Sequence, residues 1–140
     1  MRGRSSNSAE VRVFRLDYQS LMERVRRYAE DLVDSGRAEL VVLFGSLAEG
    51  RYLPSSDIDL MIVVRGAPEN PLERISAYID PKLPLDVEPR VFTVEEFFEA
   101  ARERRRFALE ILSKGVFLAG RREILEEARK IAGLQPSCSG

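Results

Sequence analysis

Residues 40–64 read LVVLFGSLAEGRYLPSSDIDLMIVV, and this stretch decides the fold. The run from Leu40 to Phe44 is entirely apolar, which predicts a buried strand because the run is too short for a helix. Gly45 and Ser46 end that strand and allow the backbone to turn sharply. Residues 57–64 then read as a second strand. The stretch therefore predicts two strands joined by a loop of small and polar residues.

Two aspartates mark the start of the second strand. Side chains two residues apart on a strand share a face, so we expect Asp57 and Asp59 on one side and Ile58 and Leu60 on the other. Two carboxylates about 6 Å apart repel each other by roughly 2.5–3 kcal/mol at an effective dielectric constant near 20. Protonation, water or a bound cation can relieve this repulsion. Among cations, Mg²⁺ suits sites that combine one or two carboxylates with substrate phosphates.

The Gly45-Ser46 turn complements these acids. A turn of this kind presents backbone N–H groups, which commonly hold a phosphate group. The turn and the acids lie about a dozen residues apart on two strands that we expect to be neighbours. Each feature alone is more typical of an ordinary loop or strand edge, but together they indicate a site for a metal ion and a nucleotide.

The order of residues 45–59 resembles the signature of the polymerase-β-like nucleotidyltransferase superfamily, and most closely that of its MNT-type minimal nucleotidyltransferases. The signature is a Gly-Ser pair, ten intervening residues and an Asp-x-Asp pair, carried here by Gly45, Ser46, Asp57, Ile58 and Asp59. Gly50 and Ser56 agree with the same pattern. The resemblance covers roughly residues 17–119. It implies the nucleotidyltransferase fold of the α/β (α+β) class, with a small mixed β-sheet flanked by helices.

The resemblance also implies roles for individual residues. Asp57 and Asp59 would bind one or two Mg²⁺ ions that bridge the phosphates of ATP. The nucleotide-binding residues would be Gly45, Ser46, Arg51 and Ser56. One position departs from the pattern, because Glu49 precedes Gly50 where small relatives often carry a basic residue. Arg51 would then have to reach the phosphates instead.

In the superfamily a third carboxylate lies on a later strand, and residues 83–92 (LPLDVEPRVF) predict such a strand here. Asp86 and Glu88 are both candidates and share one face. We prefer Asp86 because apolar residues flank it, and the expected metal ligands are Asp57, Asp59 and Asp86. Glu88 is the alternative, although it lies beside Pro89. Proline cannot donate to a β-ladder, so this strand is predicted to lie at an edge or to bulge.

Hydrophobic periodicity predicts the helices. Apolar residues recur at helical spacing from Asp17 until Gly36 ends the pattern, after a short alternating segment at 11–16 that we interpret as extended. Asn70 opens a short helix, and Thr93 to Glu96 forms a capping box before the next one. A last strand at 116–119 and a helix at 121–132 complete the pattern.

Composition restricts the chemistry and the cellular compartment. The 140 residues are expected to form one domain, 1–140, with flexible ends at about 1–10 and 133–140. There is no histidine, which excludes catalysis by imidazole and His-ligated zinc, so oxygen atoms must hold any metal. The lone Cys138 and the lack of a secretory signal or membrane span favour a cytoplasmic protein.

The resemblance makes an antitoxin-like AMP transferase the leading functional hypothesis. MNT-type proteins typically act beside a HEPN-domain partner, which they neutralise by binding it, by adenylylating a tyrosine on it, or both. The alternative is a catalytically vestigial module that neutralises its partner by complex formation only. Nucleic-acid binding is disfavoured, because the net charge is −1 and the arginines at 102–106 alternate with glutamates. Whether the chain forms a homo-oligomer is left open.

Overall fold

The computed structural model describes residues 7–50, 58–67, 70–76, 78 and 87–134. Nine helices and strands lie within these residues, in the order α1 (Asn7–Asp34), β1 (Leu40–Phe44), β2 (Ile58–Val64), α2 (Pro71–Ser76), β3 (Val87–Thr93), α3 (Val94–Arg102), α4 (Arg106–Lys114), β4 (Val116–Gly120) and α5 (Arg122–Ala132). The two strands predicted from residues 40–64 are β1 and β2, and they pair with each other in antiparallel register.

The four strands form one mixed sheet in the order β3-β2-β1-β4. β1 is antiparallel to β2 and β4, whereas β2 and β3 are parallel. Asp59 lies opposite Phe44 on one side and opposite Glu88 on the other. This mixed sheet with helices on both faces confirms the predicted α+β class.

Both faces of the sheet are covered, which explains why β1 and β2 read as nearly continuous apolar runs. One face packs against α1 through alternate strand residues, namely Val41, Leu43, Ile58, Leu60 and Ile62. The opposite face packs against α3, α4 and α5 through the residues between them, namely Leu40, Val42, Phe44, Met61 and Val63. Asp59 alternates with Ile58 and Leu60 and therefore lies on the face of α3–α5.

Helix α1 is longer than the sequence analysis predicts. It begins at Asn7, so the interpretation of residues 11–16 as extended is wrong. No glycine or proline interrupts residues 7–34, and the apolar positions 11 and 14 continue the three-and-four spacing that we recognised only from residue 21 onward. The predicted end is confirmed, because Gly36, two residues after the last helical residue, has a φ of 81°.

Strand β3 lies at an edge of the sheet, as Pro89 predicted. Its described part begins at Val87, so residues 83–86 of the predicted strand lie outside the described residues. The capping box at Thr93 is confirmed, since its hydroxyl accepts from the Glu96 N–H at 3.1 Å while Glu96 Oε1 accepts from the Thr93 N–H at 3.0 Å.

Over the described ranges of the chain, no helix is long and apolar enough to cross a membrane.

Candidate functional site

The turn after β1 is a compact, anchored structure. Gly45 has a φ of 81°, a conformation that glycine adopts without strain. The Glu49 N–H donates back to the carbonyls of Gly45 and Ser46 at 3.3 and 3.1 Å. Leu47 is fully buried, and its carbonyl accepts from the Tyr18 hydroxyl at 2.9 Å. These hydrogen bonds are accepted by the carbonyl groups of Gly45, Ser46 and Leu47. The N–H groups of residues 46–48 take no part in them, as in the first turn of a helix.

The carboxylate of Asp59 lies against the backbone of this turn. A Cβ atom placed on Gly45 would come within 2.2 Å of Asp59 Oδ2 and 3.1 Å of its Cγ. Real Cβ atoms do not approach so closely, so the absence of a side chain at Gly45 makes room for the acid. The structure thus joins the Gly-Ser turn and the second aspartate of the motif in one place.

Glu88 lies beside Asp59 on the neighbouring strand. The two residues are register partners in the parallel β2–β3 pair, and register partners point to the same face. Neighbouring strands lie about 4.8 Å apart, which is within reach of one shared cation for two carboxylates. Asp59 is half-buried and Glu88 is exposed. The structure therefore places the alternative third acid next to Asp59.

Half of the predicted site residues can be located. Gly45, Ser46, Asp59 and Glu88 are described, and they meet where β1 ends and β2 and β3 begin. The remaining predicted site residues lie outside the described residues; they are Arg51, Ser56, Asp57 and Asp86. Their assignment stays a prediction, as does the choice between Asp86 and Glu88.

The described residues fit a hard divalent cation in their chemistry. No histidine occurs in the chain, so carboxylate, hydroxyl and backbone oxygens are the available donors. Among the described residues no group of three acidic, histidine or cysteine side chains clusters as a metal site. Asp59 and Glu88 would supply two carboxylates to such an ion, and Asp57 and Asp86 are the further predicted ligands.

A cavity of about 560 Å³ opens on the same face of the sheet, beyond Glu88. Its lining includes three arginines, two glutamates and two aromatic rings, namely Arg74, Arg90, Arg105, Glu96, Glu99, Phe92 and Phe107. The sequence analysis did not identify this cavity. The alternation of residues 88–92 could have placed Arg90 on the face of Glu88, but only the fold brings α2, α3 and the start of α4 to that strand.

One ion pair inside this cavity is well formed. Arg74 donates to both oxygens of Glu96, at 2.8 and 3.2 Å, and also to the Val91 carbonyl at 3.1 Å. These hydrogen bonds, with that from the Thr93 N–H, hold the pKa of Glu96 below its ordinary value. Arg74 and Glu96 therefore neutralise each other and tie α2 to the start of α3.

Comparisons with known proteins find one family model and two solved structures that the chain resembles. The family model described as nucleotidyltransferase domain matches residues 22–131. A crystal structure of a toxin–antitoxin with AMP-PNP shares the fold at a TM-score of 0.50, with 17% sequence identity over 77% of this chain and 81% of that chain. A protein of Sulfolobus solfataricus assigned as a nucleotidyltransferase aligns at a TM-score of 0.48 and 24% identity, covering 87% of this chain and 93% of its own. No curated protein sequence matches the chain.

Proposed function

The chain belongs to the nucleotidyltransferase domain family, and from this premise we propose that it transfers AMP from ATP to a hydroxyl group of a partner protein. The observation that carries the proposal is the contact between Asp59 and the Gly45 turn, with Glu88 beside it. This arrangement brings together a turn suited to bind a phosphate and acids suited to hold Mg²⁺.

Each part of the site has a role in the proposed reaction. The N–H groups at the start of the turn and the Ser46 hydroxyl would hold the triphosphate. Asp57 and Asp59 would hold one or two Mg²⁺ ions, and Arg51 and Ser56 would contact the nucleotide. Bound Mg²⁺ would neutralise negative charge on the phosphates as it develops. Positioning and charge neutralisation would supply most of the rate, as in phosphoryl transfer generally.

ATP and the acceptor hydroxyl group together supply every atom of the proposed reaction. The acceptor oxygen forms a bond to the α-phosphorus, and the bond from that phosphorus to the bridging oxygen breaks, so pyrophosphate leaves. The hydroxyl proton passes to the third carboxylate. We propose Asp86 for this carboxylate and for the third metal ligand, with Glu88 as the alternative that the register with Asp59 supports.

The partner is proposed to be a HEPN-domain toxin, with a tyrosine hydroxyl as the acceptor. The sequence motif supports this choice, as does the fold shared with a toxin–antitoxin structure that contains AMP-PNP. The whole protein would then act as an antitoxin in the cytoplasm.

A second function is favoured by one observation. Glu49 is exposed on the turn, where small relatives often carry a basic residue. If the turn does not bind a triphosphate, the protein is a module that neutralises its partner by complex formation alone.

Titration with Mg-ATP tests the proposal and separates the two functions. We expect wild-type protein to bind ATP only with Mg²⁺, and Asp59→Asn to weaken binding at least 100-fold and abolish transfer of labelled AMP. The metal-free variant should remain folded, so that its lost binding reports on the missing carboxylate.

Asp31→Asn is the matched control, because Asp31 is an exposed carboxylate on α1, away from the site. It should bind Mg-ATP as wild type does. If wild-type protein shows no metal-dependent ATP binding, the transferase function is wrong and the binding module remains.

A further inference from the structure

The cavity lies one side chain farther along β3 than the acidic site. Glu88 and Arg90 share a face of the strand, and residues two apart on a strand lie about 7 Å from each other. Arg90 lines the cavity, and Phe92 follows it on the same face. A molecule that filled the cavity would therefore reach the neighbourhood of Glu88 and Asp59.

The cavity has unbalanced positive charge. Arg74 is neutralised by Glu96, and Glu99, which also lines the cavity, pairs with Arg102. Arg90 and Arg105 form no ion pair with any residue that the structure describes, and both are exposed. Two arginine side chains are thus available to an anionic group.

The cavity also has an aromatic wall. The rings of Phe92 and Phe107 stack with centroids 5.1 Å apart and an angle of 12° between their planes. Both residues line the cavity. An aromatic ring entering the cavity could pack against this pair and gain about 0.5–1.5 kcal/mol beyond the burial of its area.

We propose that this cavity binds an acidic segment of the acceptor protein, with an acidic side chain on Arg90 and Arg105 and a neighbouring aromatic side chain on Phe92 and Phe107. The proposal rests on the proposed function, because it assigns the cavity to the acceptor of the AMP group. Arg–carboxylate contacts fix orientation as well as adding affinity. The segment would hold its hydroxyl group beside the acids of β2 and β3.

The charge distribution favours a protein segment over a polynucleotide. A nucleic-acid groove needs a continuous row of basic side chains along the phosphate backbone. Here Glu96 and Glu99 line the same cavity as the arginines, and the net charge of the chain is −1. Two arginines that line a cavity together with two glutamates suit a single acidic side chain.

Nuclear magnetic resonance titration of the full ¹⁵N-labelled chain tests the proposal with short peptides. The probe is acetyl-Asp-Tyr-Glu-amide, and its neutral analogue is acetyl-Asn-Tyr-Gln-amide. We expect the acidic peptide to shift resonances of the cavity residues and to bind at least tenfold more tightly than the neutral one. The double variant Arg90→Glu/Arg105→Glu should lose this binding at least tenfold and should instead bind acetyl-Lys-Tyr-Lys-amide.

Arg106→Glu is the matched control. Arg106 belongs to the same basic run and begins α4, yet it does not line the cavity, so this variant should bind the acidic peptide within twofold of wild type. Equal binding of the acidic and neutral peptides would overturn the proposal. So would unchanged binding by the double variant at wild-type stability, since the arginines would then have no part in recognition.

Two further measurements separate this proposal from its alternatives. A twelve-nucleotide single-stranded RNA that binds more tightly than the acidic peptide, and loses binding in the double variant, would overturn the peptide in favour of nucleic acid. Asp59→Asn should leave peptide binding within twofold, because the cavity does not include Asp59. Peptide binding by wild-type protein that itself fails to bind Mg-ATP would support the cavity and overturn only the transferase function.

Discussion

Gly45 is the residue at which backbone conformation and proposed chemistry meet. Its φ of 81° is unfavourable for residues with a side chain, and the space above it is filled by the Asp59 carboxylate. Gly36 has the same φ, but no atom lies within 4 Å of the place where its Cβ would be. The two glycines therefore separate the cost of the backbone conformation from the cost of displacing Asp59.

We predict that Gly45→Ala destabilises the protein more than Gly36→Ala. The conformation alone should cost about 1–2 kcal/mol at either position, and only Gly45→Ala must also move the Asp59 side chain. Urea unfolding gives the two free energies of unfolding, and Mg-ATP titration should show weaker binding for Gly45→Ala alone. Equal destabilisation by the two variants would mean that Asp59 moves away at no cost.

The choice between Asp86 and Glu88 also belongs to single residues. We predict that Asp86→Asn lowers the rate of AMP transfer at least 100-fold, as expected for a lost metal ligand, while Glu88→Gln keeps most of the activity. Transfer of labelled AMP to the partner, measured for both variants at equal protein concentration, decides between them. The opposite result would assign the third carboxylate to Glu88, the register partner of Asp59.

Part of the site could be predicted from single residues, and part could not. The spacing from Gly45 to Asp59 predicted that the turn and the acid meet, because two adjacent antiparallel strands bring the end of one to the start of the next. The order of Asp86 and Glu88 along one face leaves their roles equivalent until the register with β2 is known. Arg90 was missed because its significance depends on how α2, α3 and α4 pack beside β3, which sequence patterns do not show.

At the scale of elements, the start of α3 is stabilised by an unusual number of contacts to one side chain. Glu96 closes the capping box with Thr93 and accepts two hydrogen bonds from Arg74. Arg74 is only 15% exposed, whereas Glu96 is 45% exposed. This carboxylate therefore joins α2, α3 and, through Arg74, the carbonyl of Val91 on β3.

We predict that Glu96→Gln lowers the free energy of unfolding at neutral pH. The stability of the variant should also fall less than that of wild type as the pH is lowered. The pKa of Glu96 is lowered in the folded protein, first by the hydrogen bond from Arg74. The stabilisation by ionised Glu96 is therefore fully present above its pKa in the unfolded chain, near 4.5. It is lost as the pH falls through its lower pKa in the folded protein. Thermal unfolding from pH 7 to pH 3 should show curves for wild type and variant that converge at the acid end.

Glu95→Gln is the control for this prediction. Glu95 is the preceding residue, is exposed, and forms no ion pair within the described part of the chain. Its variant should keep the wild-type dependence on pH. Parallel curves for wild type and Glu96→Gln would show that the contacts of Glu96 contribute nothing to stability.

Element boundaries were predictable where capping residues or glycine define them. Thr93, Asn70 and Gly36 each mark an end that the structure confirms. The predicted start of α1 was wrong because an alternation over six residues is too short to distinguish a strand from a helix. In that case the longer three-and-four spacing, which continues through position 14, is the better guide.

In the part of the chain that the structure describes, a sheet lies between two helical layers, with α1 on one face and α3–α5 on the other. β1 and β2 are the central strands, and β3 and β4 are the edges. The covering of both faces by helices could be anticipated from the continuous apolar runs of β1 and β2. The order of the strands could not, because the parallel pairing of β2 with β3 depends on a connection that sequence patterns do not orient.

We predict that amide hydrogen exchange is slowest in the central strands and faster in the edge strands. The amides of Val41–Leu43 and Leu60–Val63 should exchange only through global unfolding, because these residues are buried and paired on both sides. Amides of β3 should exchange through smaller openings, with protection lower by roughly 1–2 kcal/mol. Protection of β3 equal to that of β1 in the same sample would contradict the arrangement of the edges.

Pro89 restricts the backbone of the edge strand between the acid and the arginine of the proposed acceptor site. It lies between Glu88 and Arg90, and it is buried toward the opposite face of the sheet. Its ring fixes φ near −65° and removes one backbone torsion from the segment that separates the acid from the arginine. Under the proposed function, β3 would hold the acid and the arginine at a fixed separation. Acceptors whose anchoring charge and attacking oxygen are spaced too closely or too widely would then be poor substrates.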